Sequence, residues 1–327
     1  MANSMLTLDD IKAAAELVHS QINPTPQIAW PLLSRAIGTE TWVKHENHTP
    51  IGAFKIRGGI TFLEALRRDH PETGGVVTAT RGNHGQSIAR AATSVGMKAK
   101  ILVPHGNSVE KNEAMRAFGA ELIEIGADFD EARLEADRIA REEYFAFVPP
   151  FHRNLVRGVA SYALEFLTAA PQLDTIYVPI GCGSGICGLI ETRNALGLKT
   201  KIVGVVAENA PSLKLSFDSG KPVSTNRAET FADGVATRVP VQEAFEIFAA
   251  GAERIETVSE DAIAEAIRLY YRATHNLAEG AGAAALAALF QERRRMQGKS
   301  VGVILSGGNI DTGWFQTVIG GDTPTLQ

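Results

Sequence analysis

Short apolar, β-branched runs alternate with longer segments of helical periodicity along the 327-residue chain. The runs predict strands at Gly75–Thr80, Lys100–Pro104, Glu121–Ile125, Thr175–Ile180, Lys201–Ala207 and Ser300–Leu305. Apolar positions at helical spacing predict helices over Ser87–Val95, Asn112–Phe118, Phe129–Glu143, Ser184–Ala195 and Ser259–Ala273. This alternation indicates βαβ units, and the wholly apolar strands indicate parallel sheets covered on both faces. We therefore expect an α/β fold.

The length of the chain leaves room for two domains. A proline pair, Pro149-Pro150, interrupts the pattern near the middle. We expect a smaller α/β domain over residues 75–147, inserted into a larger domain formed by residues 1–74 and 148–327. The segment Met1 to Gln21 predicts an amphipathic helix and no signal peptide, because it lacks a basic start followed by an apolar stretch.

Composition narrows the possible partners. The formal net charge of −5 gives no indication of nucleic acid or an anionic membrane surface as a partner. No apolar run is long enough to span a bilayer. The two cysteines, Cys182 and Cys187, form neither a disulfide framework nor a zinc motif, so we expect a cytoplasmic protein.

The first candidate for chemistry is Lys55, which lies between Phe54 and Ile56 at the predicted start of a helix. Apolar neighbours lower the pKa of a lysine and favour the neutral amine. A neutral amine is the form that attacks an aldehyde to form an imine. Phe54 can offer an apolar face to a ring beside that amine.

The second candidate is the loop Thr80-Arg81-Gly82-Asn83-His84, which follows a predicted strand and opens a helix. Free backbone N–H groups at a helix N-terminus bind carboxylates and phosphates. Asn83 can donate to a phenolic oxygen, and Arg81 can pair with a substrate carboxylate.

A second glycine-rich loop runs from Gly181 to Gly188, also between a strand and a helix. Such a loop holds a phosphate through its backbone N–H groups, a hydroxyl and the helix dipole. Gly183, Gly185 and Gly188 also satisfy the dinucleotide-binding fingerprint, and Glu208 follows at the usual interval. A nucleotide-binding oxidoreductase is therefore the rival hypothesis.

Three more polar residues stand at places where ligands bind. Ser306 ends the last predicted strand, and ligands of open α/β sheets bind at the carboxyl ends of parallel strands. Its hydroxyl can bond a ring nitrogen. Glu208 and Asp233 lie in loop-like contexts, where each is a candidate metal ligand or a solvated or capping acid.

Together these segments resemble the fold-type II pyridoxal-phosphate family, and within it the serine/threonine dehydratase and serine racemase branch. The resemblance extends from Thr25-Pro26 to Asn309. Its motifs are Phe54-Lys55-Ile56-Arg57-Gly58, Gly82-Asn83-His84-Gly85, the loop from Gly181, Ala232-Asp233-Gly234-Val235 and Ser306-Gly307-Gly308-Asn309. The resemblance implies a tryptophan synthase β-like fold with two open, mostly parallel-sheet domains, pyridoxal 5′-phosphate as cofactor, and a homodimer.

The resemblance also implies residue roles. Lys55 would carry the cofactor as a Schiff base, with Phe54 beside the ring, Asn83 on the ring hydroxyl and Ser306 on the pyridine nitrogen. Glu279 matches an acid near the cofactor. The phosphate loop would comprise Gly181, Cys182, Gly183, Ser184 and Gly185, and the substrate loop Thr80, Arg81, Gly82, Asn83 and His84.

Several departures from the family pattern bear on function. Arg81 occupies the place of the serine that reprotonates Cα in the racemase, and a permanently charged arginine is a poor proton shuttle. This argues against racemisation and allows an extra contact to an acidic or bulky substrate. Ser212 and Lys214 occupy the stretch where the branch's cation site continues from Glu208. We hypothesise that Lys214 replaces the cation, which puts a divalent ion in doubt.

The function implied is a dehydratase that releases ammonia from a β-hydroxy-amino acid, with threonine and serine as default substrates. The substrate 3-hydroxyaspartate fits if Arg81 faces the β-substituent, and phenylserine-like substrates stay open. Besides the oxidoreductase, a non-catalytic ligand-binding protein on the same fold is the remaining alternative.

Overall fold

The computed structural model describes residues 4–170 and 172–326. The strands are β1 (Gln27–Ala29), β2 (Glu40–His45), β3 (Gly75–Ala79), β4 (Lys98–Val103), β5 (Glu121–Glu124), β6 (Ala146–Phe147), β7 (Thr175–Pro179), β8 (Lys201–Ala207), β9 (Arg254–Val258) and β10 (Ser300–Leu305). The helices are α1 (Leu8–His19), α2 (Pro31–Ile37), α3 (Lys55–Asp69), α4 (Asn83–Ser94), α5 (Val109–Ala117), α6 (Phe129–Glu142), α7 (Arg153–Ala169), α8 (Ser184–Ala195), α9 (Ser212–Ser219), α10 (Gln242–Gly251), α11 (Glu260–Thr274), α12 (Gly280–Gln291) and α13 (Thr312–Gly320). Within the described ranges, no helix is both long and apolar enough to cross a membrane.

A large sheet of six strands has the order β1-β2-β10-β7-β8-β9. Strand β1 runs antiparallel to β2, whereas β2, β10, β7, β8 and β9 are mutually parallel. One face packs on α2, α11 and α12, and the other on α1, α7, α8 and α10. Both faces are therefore covered, as the apolar strands predicted, and the α/β fold class is confirmed.

A smaller sheet has four parallel strands in the order β5-β4-β3-β6. Its core on one side includes Leu63 of α3, Ile88 of α4 and Leu155 of α7, and on the other Ala132 and Ile139 of α6. Helix α3 packs on α4 and α7, and α7 packs in turn on α8, so α3 and α7 lie between the two sheets. The division into domains at residues 75 and 147 stays a prediction.

The predicted strands and helices all occur, with ends that differ by a few residues; β4 begins at Lys98 where Lys100 was predicted. The amphipathic N-terminal segment forms α1 over Leu8–His19, and residues 1–3 lie outside the described ranges. The pattern missed α12, because ten of its twelve residues are buried and a helix covered on all sides has no polar face.

Beneath the start of α3 lies a buried cluster of four charged residues. Arg57, whose side chain is fully buried, bonds Glu46 Oε2 at 2.7 Å and Glu165 Oε1 at 2.6 Å. Lys44 Nζ is 2.5 Å from Glu165 Oε2. The two cations and two carboxylates balance, so the charges compensate one another away from water. The cluster ties α3 to the end of β2 and to α7, two residues after Lys55.

The charge on Glu165 should contribute strongly to stability. Burial favours its protonated form, but Arg57 and Lys44 outweigh burial and lower the pKa of Glu165 to about 2. Glu165→Gln leaves two buried cations facing one acid, and we expect a loss of roughly 3–5 kcal/mol in the free energy of unfolding. Denaturant unfolding at pH 7 measures it. The matched Glu253→Gln variant removes one partner of an exposed pair, for which about 0–1 kcal/mol is expected.

The pH dependence of the free energy of unfolding gives a further comparison of wild type with Glu165→Gln. Because the folded pKa is depressed, the stabilisation from Glu165 is complete above the ordinary carboxyl pKa of 4.5 and is lost as pH falls towards 2. The difference between wild type and Glu165→Gln should therefore shrink over that interval. Equal losses in Glu165→Gln and Glu253→Gln at pH 7 would contradict this account.

Candidate active site

The segment before Lys55 is fixed to the end of β10 by main-chain contacts. Phe54 N donates to Ser306 O at 3.0 Å, and Gly308 N donates to Gly52 O at 2.9 Å. Between them Ala53 and Gly307 form an antiparallel bridge. This backbone pairing brings together two motifs about 250 residues apart in sequence and places Lys55 at the carboxyl end of the large sheet.

Lys55 is the first residue of α3, and the residue is only partly exposed. Its Nζ lies 5.2 Å from the centroid of the Phe54 ring, and its carbonyl accepts a hydrogen bond from Ser87 Oγ at 2.7 Å. Burial lowers the pKa of Lys55 and favours the neutral amine. The expectation from its apolar sequence neighbours is thus matched by its surroundings.

The loop after β3 is organised by Thr80, whose Oγ1 accepts from Gly82 N at 3.0 Å and from Gly85 N at 3.3 Å. These bonds satisfy N–H groups at the start of α4. His84 is buried, and burial together with nearby Lys55 lowers its pKa to about 3, so its ring is neutral. Arg81 is exposed, and in the described part of the chain it has no ion-pair partner.

A chain of side-chain hydrogen bonds links the 80–84 loop to segments next to the large sheet. Asn83 Nδ2 donates to Glu279 Oε1 at 2.8 Å, and Asn309 Nδ2 donates to Asn83 Oδ1 at 2.7 Å. Burial raises the pKa of Glu279 to about 7, although Lys111 and Asn83 oppose the shift. Glu279 N also donates to Gly307 O at 3.1 Å, so Glu279 lies beside the Ser306–Gly308 turn.

The second glycine loop stands at the N-terminus of α8. Gly183 has a φ of +104°, and a Cβ built on it would lie 2.6 Å from Ala244 Cβ. A Cβ on Gly181 would lie 2.1 Å from the Gly234 carbonyl oxygen. Cys187 N donates to Gly183 O at 3.0 Å, and this is the first main-chain hydrogen bond of α8 among the described residues. The preceding N–H groups are available to an anion.

The same loop approaches Lys55 and Phe54. Tyr162 Oη donates to Gly185 O at 2.9 Å and fixes the loop from beneath. A Cβ on Gly185 would lie 3.9 Å from a ring carbon of Phe54, and Cys182 is near enough to influence Lys55 electrostatically. The structure therefore gathers the Lys55, Asn83, Glu279 and Ser306 segments and the 181–185 loop around one cleft. Their individual roles stay proposals.

The comparisons with known proteins match this arrangement. A family profile described as "Pyridoxal-phosphate dependent enzyme" matches residues 18–307. The chain belongs to this family. The match covers the Lys55, Asn83 and Ser306 segments together with the glycine loop, so it decides against the nucleotide-binding oxidoreductase.

Individual relatives agree with the family. The chain is 33% identical to an L-threonine ammonia-lyase of Thermotoga maritima over 316 residues, covering 96% of this chain and 78% of the relative. It is 30% identical to an L-threo-3-hydroxyaspartate ammonia-lyase of Saccharomyces cerevisiae over 323 residues, covering 98% and 99%. It spans only 57% to 60% of the biosynthetic L-threonine dehydratases that it matches.

Among solved structures, the processed form of threonine deaminase isoform 2 from Solanum lycopersicum superposes with a TM-score of 0.89 at 29% identity. The superposition covers 95% of this chain and 91% of that one. Together with the two mostly parallel sheets, this confirms the fold-type II architecture.

The residues present fit pyridoxal 5′-phosphate. The glycines at 181 and 183 leave a cradle that a Cβ would fill, next to N–H groups suited to a phosphate. Lys55 supplies an amine whose pKa is lowered by burial, in a segment that this loop approaches through Gly185 and Phe54. When bound, this cofactor serves as an electron sink for bonds to Cα of an amino acid.

The acids considered as metal ligands have other surroundings. Asp233 Oδ2 forms an ion pair with Lys111 Nζ at 3.0 Å. Lys214 Nζ pairs with Asp218 on its own helix at 2.5 Å, while Glu208 is exposed at the end of β8. The hypothesis that Lys214 replaces a cation beside Glu208 therefore gains no support, since its charge is taken by Asp218.

Sequence reasoning missed Lys111, Tyr162 and Asp311 near the site. Lys111 precedes the predicted helix over Asn112–Phe118 by one residue, and no local pattern distinguishes it from a surface lysine. Asn309 lay within a recognised motif, which could have pointed to its contact with Asn83.

The steric demand at Gly183 predicts the effect of one added methyl group. Gly183→Ala combines a strained φ with a contact to Ala244, so the loop must shift and affinity for pyridoxal phosphate should fall about tenfold or more. Titration of the apoenzyme followed by absorbance measures this. Gly197→Ala, with a φ of +66° and open space around it, shares only the backbone strain and should bind the cofactor normally. Equal affinities in the two variants would refute the role of this loop.

Proposed function

We propose that the protein is a pyridoxal-phosphate-dependent ammonia-lyase that converts a β-hydroxy-amino acid, with L-threonine and L-serine as default substrates, to a 2-oxo acid and ammonia. The observation that carries the proposal is the buried amine of Lys55, in a segment that is bonded to Ser306 through Phe54 and approached by Gly185 of the phosphate-type loop. The relatives named as L-threonine and L-threo-3-hydroxyaspartate ammonia-lyases support the reaction class.

Each residue of the site has a separate role in this reaction. The lowered pKa of Lys55 suits its Nζ to accept a proton from Cα of the bound substrate. Asn83 and Ser306 would orient the ring of the cofactor, and the 181–185 loop would hold its phosphate. The 80–84 loop at the start of α4 would bind the substrate carboxylate through N–H groups other than those of Gly82 and Gly85, which donate to Thr80 Oγ1.

Lys55 gives the first test. Lys55→Ala removes the only group proposed both to hold the cofactor covalently and to move the Cα proton, so ammonia release should fall by a factor of roughly 10³ or more. The assay follows ammonia and 2-oxo acid with L-threonine, L-serine and 3-hydroxyaspartate. Lys98→Ala, on an exposed lysine, should leave activity unchanged. Undiminished turnover in Lys55→Ala, or no turnover by wild type on any member of the panel, would overturn the proposal.

A dicarboxylic substrate is the second candidate, and Arg81 favours it. Its guanidinium is exposed on the substrate loop without an ion-pair partner in the described ranges. The yeast relative named for L-threo-3-hydroxyaspartate matches over nearly the full length of both chains. A β-carboxylate meeting Arg81 would gain a charge-assisted bond that threonine and serine cannot make.

Arg81→Ala distinguishes these substrates within one protein. Loss of a hydrogen bond to a charged group costs about 1.5–3 kcal/mol, so kcat/KM for 3-hydroxyaspartate should fall roughly 10- to 100-fold. The value for L-threonine should change less than about threefold, since its methyl group makes no ionic contact. Equal losses for both substrates would instead assign Arg81 to the α-carboxylate that they share.

We also propose a homodimer in the cytoplasm, with residues 75–147 as the smaller domain. The family resemblance supports the dimer. All four strands of the small sheet lie within residues 75–147, which supports the division, while its core also includes Leu63 and Leu155 from outside that range. Sedimentation of the holoenzyme measures the oligomeric state.

A further inference from the structure

Lys111 crosses from the small sheet's side of the cleft to the large sheet's side. It belongs to α5, and its side chain is 9% exposed. Its Nζ lies 3.0 Å from Asp233 Oδ2, 4.0 Å from Asp311 Oδ2 and 5.9 Å from the centroid of the Trp314 ring. Asp233 comes after β8 in the chain and Asp311 after β10, and both strands belong to the large sheet. One ammonium group therefore connects α5 to segments that follow strands of the large sheet.

The charge of Lys111 is compensated where it is buried. Burial acts to lower its pKa, but Asp233, Glu279 and Asp311 outweigh burial and raise it. A small cavity beside the ammonium is lined by Asp233, Glu279 and Trp314 among others. A buried ammonium is costly unless it is paired, and here the carboxylates of Asp233, Glu279 and Asp311 compensate its charge.

The aliphatic stem of Lys111 also supports the substrate loop. A Cβ built on Gly82 would lie 2.9 Å from Lys111 Cδ. The absence of a side chain at Gly82 thus lets the lysine stem pass against the loop between Thr80 and Asn83. The same side chain therefore touches the substrate loop with its stem and the large sheet's side with its charge.

Two neighbouring contacts reinforce the bridge. Ser108 Oγ, which precedes α5, donates to Asp311 Oδ1 at 2.5 Å. Thr312 N, at the start of α13, donates to Glu110 Oε1 at 3.0 Å. The start of α5, immediately before Lys111, is thus fastened to the start of α13 through polar contacts.

We propose that Lys111 is a positioning residue that holds the substrate loop at Gly82 against Asp233 on the opposite side of the cleft. This inference rests on the proposed function, in which the 80–84 loop binds the substrate carboxylate. Lys111 touches none of the reacting atoms and acts through the loop. Its loss should therefore weaken substrate binding more than it slows the chemistry at Lys55.

Hydrogen exchange of the holoenzyme tests the structural part without any substrate. In Lys111→Met, which keeps most of the stem and loses the charge, amides in residues 80–87 should exchange about tenfold faster. Asp233→Asn should do the same, and the double variant should exchange no faster than either single variant because both break one contact. Lys100→Met, which removes a lysine paired with Glu143 on the small sheet, should leave this segment unchanged.

Kinetics test the functional part with whichever hydroxy-amino acid of the panel reacts fastest. In Lys111→Met, KM should rise about tenfold while kcat stays within about threefold, and Lys111→Arg should recover most of the loss. Exchange in residues 175–195 should stay at the wild-type rate, which separates local loosening from general destabilisation.

The possible outcomes are distinct. Unchanged exchange in residues 80–87, additive effects of Lys111→Met and Asp233→Asn, or a fall in kcat without a rise in KM would each overturn the positioning role. If no panel substrate reacts with wild type, the proposed function fails, while the exchange result still decides whether Lys111 holds the loop.

Discussion

The site depends on how firmly the first turn of α3 is held. Main-chain bonds from residues 52–54 to the Ser306–Gly308 turn fix it from one side. The buried cluster of Arg57, Glu46, Glu165 and Lys44 fixes it from below. Lys55 lies between these two anchors, so the backbone that carries its amine is held on both sides.

The electrostatics of the cleft follow from what is buried there. Arg57 keeps its charge because two carboxylates surround it, whereas burial of Lys55 is not matched by an ion pair in the described ranges and lowers its pKa. Arg57 thus stays charged, whereas the neutral form is favoured for Lys55, two positions earlier. The fold uses the compensated charge for stability and favours the neutral form of the uncompensated amine, which is the form that covalent chemistry requires.

Sequence patterns predicted the elements that obey a simple period. Strands such as β7 and β8 are apolar over most of their length, and they were found nearly at their predicted bounds. Strand β2 was missed because Lys44 and His45 resemble surface residues, yet both are buried, Lys44 within the ion cluster. Burial of polar residues depends on partners elsewhere in the chain, such as Glu165, which lies 121 residues away.

The same limit applies to the site. The motifs around Lys55, Asn83, Gly181 and Ser306 are each contiguous, so the local sequence is enough to indicate their chemistry. Lys111 forms its ion pair with a residue 122 positions away, and the two meet where α5 makes polar contacts with segments that follow strands of the large sheet. Contacts that join the two sides of the cleft are therefore what the sequence alone could not predict.

The covalent attachment of the cofactor at Lys55 is the central claim, and borohydride reduction followed by peptide mapping of the holoenzyme tests it most directly. The account predicts that the visible absorbance of the bound cofactor disappears on reduction and that the added mass is on the peptide containing Lys55. Added mass on a peptide carrying another lysine, such as Lys44 or Lys111, or no added mass on any peptide, would contradict it.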